Sequence, residues 1–366
     1  MHNLYIHIPF CKNNCSYCNF AKKISLDENL HQAYFKALES EISLKYKEFR
    51  TNIKPLKTIY FGGGTPSLIS IKILNNFLDF LRSTFTFSKN IEITLESHPA
   101  TITKDKITEW GRIGINRLSM GIQSFQKKFE SFFERGLSDS INALDLLKNR
   151  DFYLSCDFIF GMPNQSINDL NKDLDIIKGL NIDHISYYAL DYKPYSKIEK
   201  KANNSLSFEK ICEYYEHICQ FLSKRGFKQY EIYNFSKKNK ECNHNVDFWK
   251  QKNYLGIGIS SVSCINYEII ENTNNFEKYL KGDFIENRYF LSKEEKIENF
   301  LKRGFRLNDG IKICDLKRFL KNNDLYKKIV KNANTINSWI EFSDTNIFLT
   351  TEGKMNFMET IDILLE

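Results

Sequence analysis

Between residues 4 and 190, six short β-rich runs alternate with segments of helix length, and this restricts the fold more than any other feature of the chain. The runs are Leu4–Ile8, Thr58–Phe61, Ile91–Leu95, Arg117–Ile122, Tyr153–Phe160 and His184–Leu190. After the first, Leu30, Tyr34, Leu38 and Ile42 recur every four residues and build an apolar stripe on a helix over Asn29–Tyr46. Strand–helix repeats of this length need right-handed crossovers and a parallel sheet, either doubly wound or curled into a barrel. Residues with chemistry to perform are then expected at the C-terminal strand ends. The alternation fades after Asp191. Asn203-Asn204-Ser205 reads as a loop before a helix over Ser207–Lys224, and Tyr230–Asn234 reads as a further strand. From Ser292 the pattern is three helices, two strands around Ser343–Asn346 and a last helix after Gly353, a winged-helix-like order.

Composition sets the outer bounds. Of 366 residues, 42% are hydrophobic and 27% charged, enough to bury a core and incompatible with a disordered chain, a collagen or a disulfide miniprotein. The net charge of +7 is too dilute over this length to imply nucleic acid by itself. The 30 Phe and 19 Tyr are read mainly as core. Nine cysteines, an odd number with one tight cluster, favour metal in a reducing compartment over disulfides. With no basic leader, cleavage site or run of roughly 20 apolar residues, the expected location is the cytoplasm.

The cluster is Cys11-Lys-Asn-Asn-Cys15-Ser-Tyr-Cys18, directly after the first strand. Three thiolates within one loop can wrap a single iron–sulfur cubane and leave one of its irons open. The alternative is zinc, which wants four protein ligands or three and water, with His7 as a fourth. The second strand ends in Phe61-Gly62-Gly63-Gly64-Thr65-Pro66, whose glycines permit close backbone approach to a small polar ligand. The run lacks the Lys-Ser/Thr of a phosphate loop and the spacing of a dinucleotide fingerprint. Glu96, Gln123 and Asp157 stand at the ends of the next three strands, and parallel strands would aim all three into one cavity suited to a zwitterion, a ribose diol and an adenine.

The cysteine loop, with the aromatic Tyr17 before its last cysteine, resembles that of the radical S-adenosyl-L-methionine superfamily. There the open iron of a [4Fe-4S] cluster chelates S-adenosyl-L-methionine. From Tyr5 to about Leu307 the chain resembles the group containing the oxygen-independent coproporphyrinogen III dehydrogenases and the HemW-type haem chaperones. The likeness rests on Tyr5-x-His7-Ile8-Pro9-Phe10-Cys11, the Gly-Gly-Gly-Thr-Pro run, Asn116 to Phe125, and Asp157 with Gly161-x-Pro163. It implies an α/β fold: a partial (β/α)6 TIM-like barrel over residues 1–235, a connecting segment over 236–290 and a smaller winged-helix-like domain over 291–366. It further implies Cys11, Cys15 and Cys18 as cluster ligands, with Tyr5, Gly63, Gly64, Thr65, Glu96, Gln123, Arg135 and Asp157 around S-adenosyl-L-methionine. Around Arg135 the sequence Glu134-Arg135-Gly136 departs from the family's usual neighbours.

Two departures separate the branches. The dehydrogenases carry a further cysteine two residues after the third, where this chain has Phe20, and an N-terminal extension for which a first cysteine at residue 11 leaves no room. His244-Asn245-Val246-Asp247-Phe248-Trp249 resembles the chaperones' His-Asn-x-x-Tyr-Trp signature with Phe for Tyr. An imidazole can ligate haem iron and aromatics can cover a porphyrin face, so His244 is the expected haem contact, with Cys242 as a thiolate alternative. The implied activity is haem delivery to an acceptor such as a respiratory cytochrome, with a flavodoxin or ferredoxin-type reductant and, in some members, a homodimer. The alternative is radical oxidative decarboxylation of coproporphyrinogen III. The basic residues Lys312, Lys317, Arg318, Lys321, Lys327, Lys328 and Lys331 read as a solvated face, with no nucleic-acid partner expected.

Overall fold

The computed structural model describes residues 1–15, 17–133, 135–191, 205–321 and 323–366. Asn203 and Asn204 of the expected loop, and Glu134, lie outside the described residues. Six strands, β1 (Asn3–Ile8), β2 (Leu56–Gly63), β3 (Phe87–Ser97), β4 (Arg117–Gln123), β5 (Tyr153–Phe160) and β6 (His184–Ala189), pair in parallel in chain order. Each is followed by helical structure, as after β1, where α1 (Glu28–Phe49) starts at Asp27, whose side chain accepts from Asn29 N.

Period-two alternation along these strands decides which face does what. Leu4, Ile6, Ile8, Ile59, Phe61, Ile93, Leu95, Leu118 and Met120 join Phe35, Leu38, Leu74, Phe77 and Leu78 of the helices in one core. The intervening residues are polar and meet across strands on the other face: Thr58 donates to Asn3 at 2.9 Å, Arg117 to Glu92 at 3.1 Å and Tyr60 to Glu96 at 2.9 Å. A sheet that is apolar on its helix side and polar within is a barrel built around a polar ligand.

The strand expected at Tyr230–Asn234 is displaced to β7 (Asn234–Ser236), antiparallel to β6. Upstream side chains are drawn elsewhere: Tyr230 bonds His184 at 2.8 Å, and buried Glu231 takes Arg306 at 3.0 Å. Residues 236–290 extend the main sheet. β8 (Tyr254–Ile257) lies parallel to β1 on its free edge, and three antiparallel strands, Val262–Ile265, Glu268–Asn272 and Ile285–Phe290, continue outward. A buried ion pair locks this extension to α1: Lys45 contacts Glu41 at 2.6 Å and Gly256 O at 3.0 Å, while Gly258 N donates to Glu41 at 2.9 Å. Among the described residues the sheet has twelve strands in linear order, so the barrel is open.

From Lys293 the chain forms helix, short strand, two helices, hairpin and two short helices, with a three-stranded antiparallel sheet. This unit has its own core of Leu301, Phe305, Leu316, Leu320, Ile347, Leu349, Ile361 and Leu364. Among the described residues, no helix is long and apolar enough to cross a membrane.

Candidate cofactor site

Past β1 the chain makes a two-residue strand, Phe10–Cys11, which pairs in parallel with Lys23–Ile24 and closes residues 12–22 into a loop. Cys11 is buried, Cys15 and Cys18 are half-buried, and no cysteine is in a disulfide. Two anchors hold the loop. His7 donates from Nε2 to Ala21 O at 2.8 Å while its Nδ1 accepts from the Tyr5 hydroxyl at 3.1 Å. Tyr17 packs edge-on against Phe133 at 5.2 Å. The Cys11 thiol is pushed up by burial and by the nearby Cys18 and Cys15, against a hydroxyl donation from Thr65 at 3.6 Å and the charge of Lys22. A thiol raised in this way needs a cationic centre to become a thiolate.

Among the described residues, no group of three or more His, Cys, Asp or Glu side chains converges as a single-ion site. Both His7 nitrogens are already spent, so a zinc ion would find no fourth ligand there. A cubane, which takes its ligands at separate irons, suits three cysteines spread around a loop.

The glycines of the second strand are shaped by this loop. Gly63 has φ +116°, and a Cβ there would lie 2.7 Å from the His7 ring. A Cβ on Gly64 would lie 2.7 Å from both Pro9 O and Phe10 O and 2.8 Å from Cys11 Sγ. Gly63→Ala therefore combines a strained backbone with displacement of His7 from Ala21. The expected outcome is a loss of about 2–4 kcal/mol in folding free energy together with reduced iron retention. Denaturant titration and iron analysis would check it; an unchanged midpoint with full iron content would sink it.

Facing the loop are two buried carboxylates. Glu96 accepts from the Tyr60 hydroxyl and from Gly63 N, each at 2.9 Å. Burial, with Asp157 adding to it, pushes the Glu96 carboxyl up to about 7, against the Tyr60 and Gly63 donors and the Arg135 charge. Asp157 is raised by burial as well, opposed by hydrogen bonds from Ser186 and Ser119 and by Arg135. The Arg135 guanidinium donates to Gly121 O, and its Nε is buried without a partner. Gln123 is held at φ +73° beside Gly121, a conformation that costs a non-glycine residue about 1 kcal/mol or more. Two acids raised by burial, one orphaned guanidinium donor and a strained strand end would suit a ligand carrying both charges.

Gly63, Gly64, Thr65, Glu96, Gln123 and Asp157 thus lie on or directly after the C-terminal halves of β2–β5, with Thr65 turned onto Cys11, whereas Tyr5 lies in the first half of β1 and Arg135, past the helical turns that follow β4, reaches back to Gly121 O. The sequence reading missed Tyr60, Ser119 and Ser186, which support the two carboxylates.

His244 lies elsewhere. It sits on a short helix, α2 (Asn243–Trp249), against the starts of β1 and β2, with Nδ1 2.8 Å from Thr58 Oγ1 and its ring 5.1 Å from that of Tyr60. Burial lowers its pKa to about 4. Its flanking aromatics stack on arginines of the helix Lys293–Arg306, Phe248 under Arg303 at 4.5 Å and Trp249 under Arg306 at 4.9 Å. The buried Cys242 thiol donates to Glu92 and is held far above the usual range by burial and that carboxylate. In the ligand-free structure this motif is thus engaged in packing at the barrel floor.

A sequence model of the Radical SAM superfamily matches residues 5–177. The protein called heme chaperone HemW of Buchnera aphidicola subsp. Acyrthosiphon pisum is 32% identical over 98% of this chain and 96% of its own. The chain belongs to the HemW family. The Escherichia coli heme chaperone HemW is 29% identical, over 83% of this chain and 82% of that protein. Among solved structures, E. coli coproporphyrinogen III oxidase (HemN), a radical SAM enzyme, superposes with a TM-score of 0.85 at 20% identity, covering 99% of this chain and 89% of that one, a likeness of fold.

Proposed function

We propose that this HemW-family protein is a haem chaperone: it binds a [4Fe-4S] cluster through Cys11, Cys15 and Cys18, takes S-adenosyl-L-methionine beside it, and passes haem to a haemoprotein acceptor in the cytoplasm. The observation carrying the haem reading is full-length similarity, at 32% identity, to a relative named heme chaperone HemW. The donor set supports the cofactors, with three cysteines on one anchored loop facing two raised carboxylates and an unsatisfied guanidinium. In this superfamily the reduced cluster supplies an electron to the sulfonium. Glu96 and Gly63 suit the methionine ammonium end, Arg135 its carboxylate, and Asp157 with Gln123 the ribose and base. Tyr5 and His7 hold the loop in place. At 63% exposed, Phe20 leaves an apolar ring on the surface two residues past Cys18. A low-potential reductant of the flavodoxin or ferredoxin type would serve the cluster, and a homodimer remains part of this reading.

The test uses the full chain with its cluster reconstituted anaerobically, incubated in parallel with haem and with coproporphyrinogen III plus S-adenosyl-L-methionine and a reductant. Near-stoichiometric haem retention, transfer to an apo-haemoprotein and no decarboxylated product are expected. Turnover to protoporphyrinogen would replace this reading with that of a dehydrogenase.

A further inference from the structure

The proposed function leaves unexplained the side chain that the sequence singled out most clearly, His244. We infer that His244 is a positioning residue, holding Tyr60 from beneath so that its phenol orients Glu96 toward the S-adenosyl-L-methionine pocket. This rests on the reading of Glu96 as a ligand-binding carboxylate.

The chain of contacts begins at Glu92, which accepts from the backbone N–H groups of Asn243 and His244, each at 3.1 Å, and from the Cys242 thiol. Arg117 neutralises it at 3.1 Å, so the start of α2 is pinned to β3 and β4. The Thr58 hydroxyl has one proton and gives it to Asn3 Oδ1 at 2.9 Å. It must therefore accept from His244 Nδ1–H at 2.8 Å, which fixes both the tautomer and the ring direction. So fixed, the imidazole packs 5.1 Å from the Tyr60 ring, whose other neighbour is Tyr5, stacked at 6.1 Å and 25°. Tyr60 keeps one polar contact to make, and its hydroxyl donates to Glu96 Oε1 while Gly63 N takes Oε2. Of the two donors that aim this carboxylate, the glycine is fixed by backbone. The tyrosine is fixed only by its packing. Phe248 and Trp249, the last two residues of that helix, join it to Arg303 and Arg306, so the floor is braced from the C-terminal unit.

The experiment compares His244→Ala, Tyr60→Phe and the double variant in the cluster-reconstituted full chain. It reads S-adenosyl-L-methionine affinity by calorimetry, haem affinity by optical titration, and iron content. Each single change is expected to weaken S-adenosyl-L-methionine binding about five- to thirty-fold while iron content and haem affinity hold. The double variant should be no weaker than the worse single, because both act through one carboxylate. His244→Gln, whose amide can donate to Thr58, should recover part of the loss. Should His244→Ala fail to fold, Thr58→Val, which removes the acceptor at nearly constant shape, takes its place. Additive losses, unchanged S-adenosyl-L-methionine affinity, or a loss confined to haem would each overturn the inference. Failure of the unsubstituted protein to bind S-adenosyl-L-methionine would overturn the reading of Glu96 beneath it.

Discussion

Glu96→Gln is expected to make the ligand-free protein more stable at pH 8 and to weaken S-adenosyl-L-methionine binding by about 100-fold or more. The two effects share one cause. The Glu96 carboxyl titrates near 7 in the folded chain against an ordinary value of 4.5, so folding opposes its ionisation. For an acid raised in this way the cost is absent below pH 4.5, grows between pH 4.5 and 7 and is complete above 7, where it reaches about 3 kcal/mol. A neutral amide escapes that cost, so the melting-temperature difference between the two proteins should open as pH rises and vanish near pH 4.5. The groups facing Glu96 are Tyr60, Gly63 N–H, Asp157 and Arg135, and of these only Asp157 adds negative charge. A cationic ligand reverses the balance by favouring the ionised form. Affinity in the unsubstituted protein should climb with pH to about 7 and then level off, whereas the Gln variant should show a flatter profile. Calorimetry across pH 5.5–8.5 reads both, as an order-of-magnitude window around that transition. Equal affinities at pH 8 would remove Glu96 from the ligand site.

This trade between stability and binding explains why parts of the molecule were legible in the sequence and others were not. The six parallel strands could be placed from their apolar runs because each packs one face under helices, and burial of Leu4, Ile59, Leu95 or Leu118 leaves little choice of register. The cysteine loop was visible because spacing alone encodes it. Tyr60 and Ser119 were not singled out, since a polar residue between two apolar ones reads as an outward position until the strands curl and that face becomes the interior. His244 was read for its chemistry, but a histidine's role depends on what binds its nitrogens, and Thr58 lies 186 residues away. Residues 236–290 looked like a connector because their short strands have no helices between them; the Glu41–Lys45 pair that recruits them to the sheet is a long-range contact without a local signature. Where neighbours in sequence set the environment, the reading succeeded, and where the environment comes from across the barrel it did not.

The same distinction sharpens the largest effect expected of any single change. Cys15→Ala or Cys18→Ala should reduce reconstituted iron from about four per chain to nearly none, with loss of the visible iron–sulfur absorbance. Both side chains lie in the loop closed by the Phe10–Cys11 and Lys23–Ile24 pairing, where the turn from Cys15 O to Cys18 N and the Lys22 contact to Cys18 O leave the backbone no route to supply a substitute ligand. The other cysteines are held elsewhere: Cys156 and Cys242 are buried with thiols far above the usual range, Cys212 and Cys219 sit on the helix Phe208–Ser223, Cys264 is buried on the outer strand Val262–Ile265, and Cys314 belongs to the C-terminal unit. His7 cannot replace them either without abandoning Ala21. Since the loop is tied at both ends by groups other than the cysteines, the protein should stay folded, with a circular dichroism spectrum like that of the unsubstituted chain. Cys314→Ala is the matching control and should keep full iron. Metal analysis with zinc and iron offered together distinguishes the two chemistries raised by the sequence. Iron and sulfide in equal amounts, lost together in Cys15→Ala, support the cubane; one zinc per chain in place of iron, lost in Cys15→Ala and weakened in His7→Ala, would exclude it.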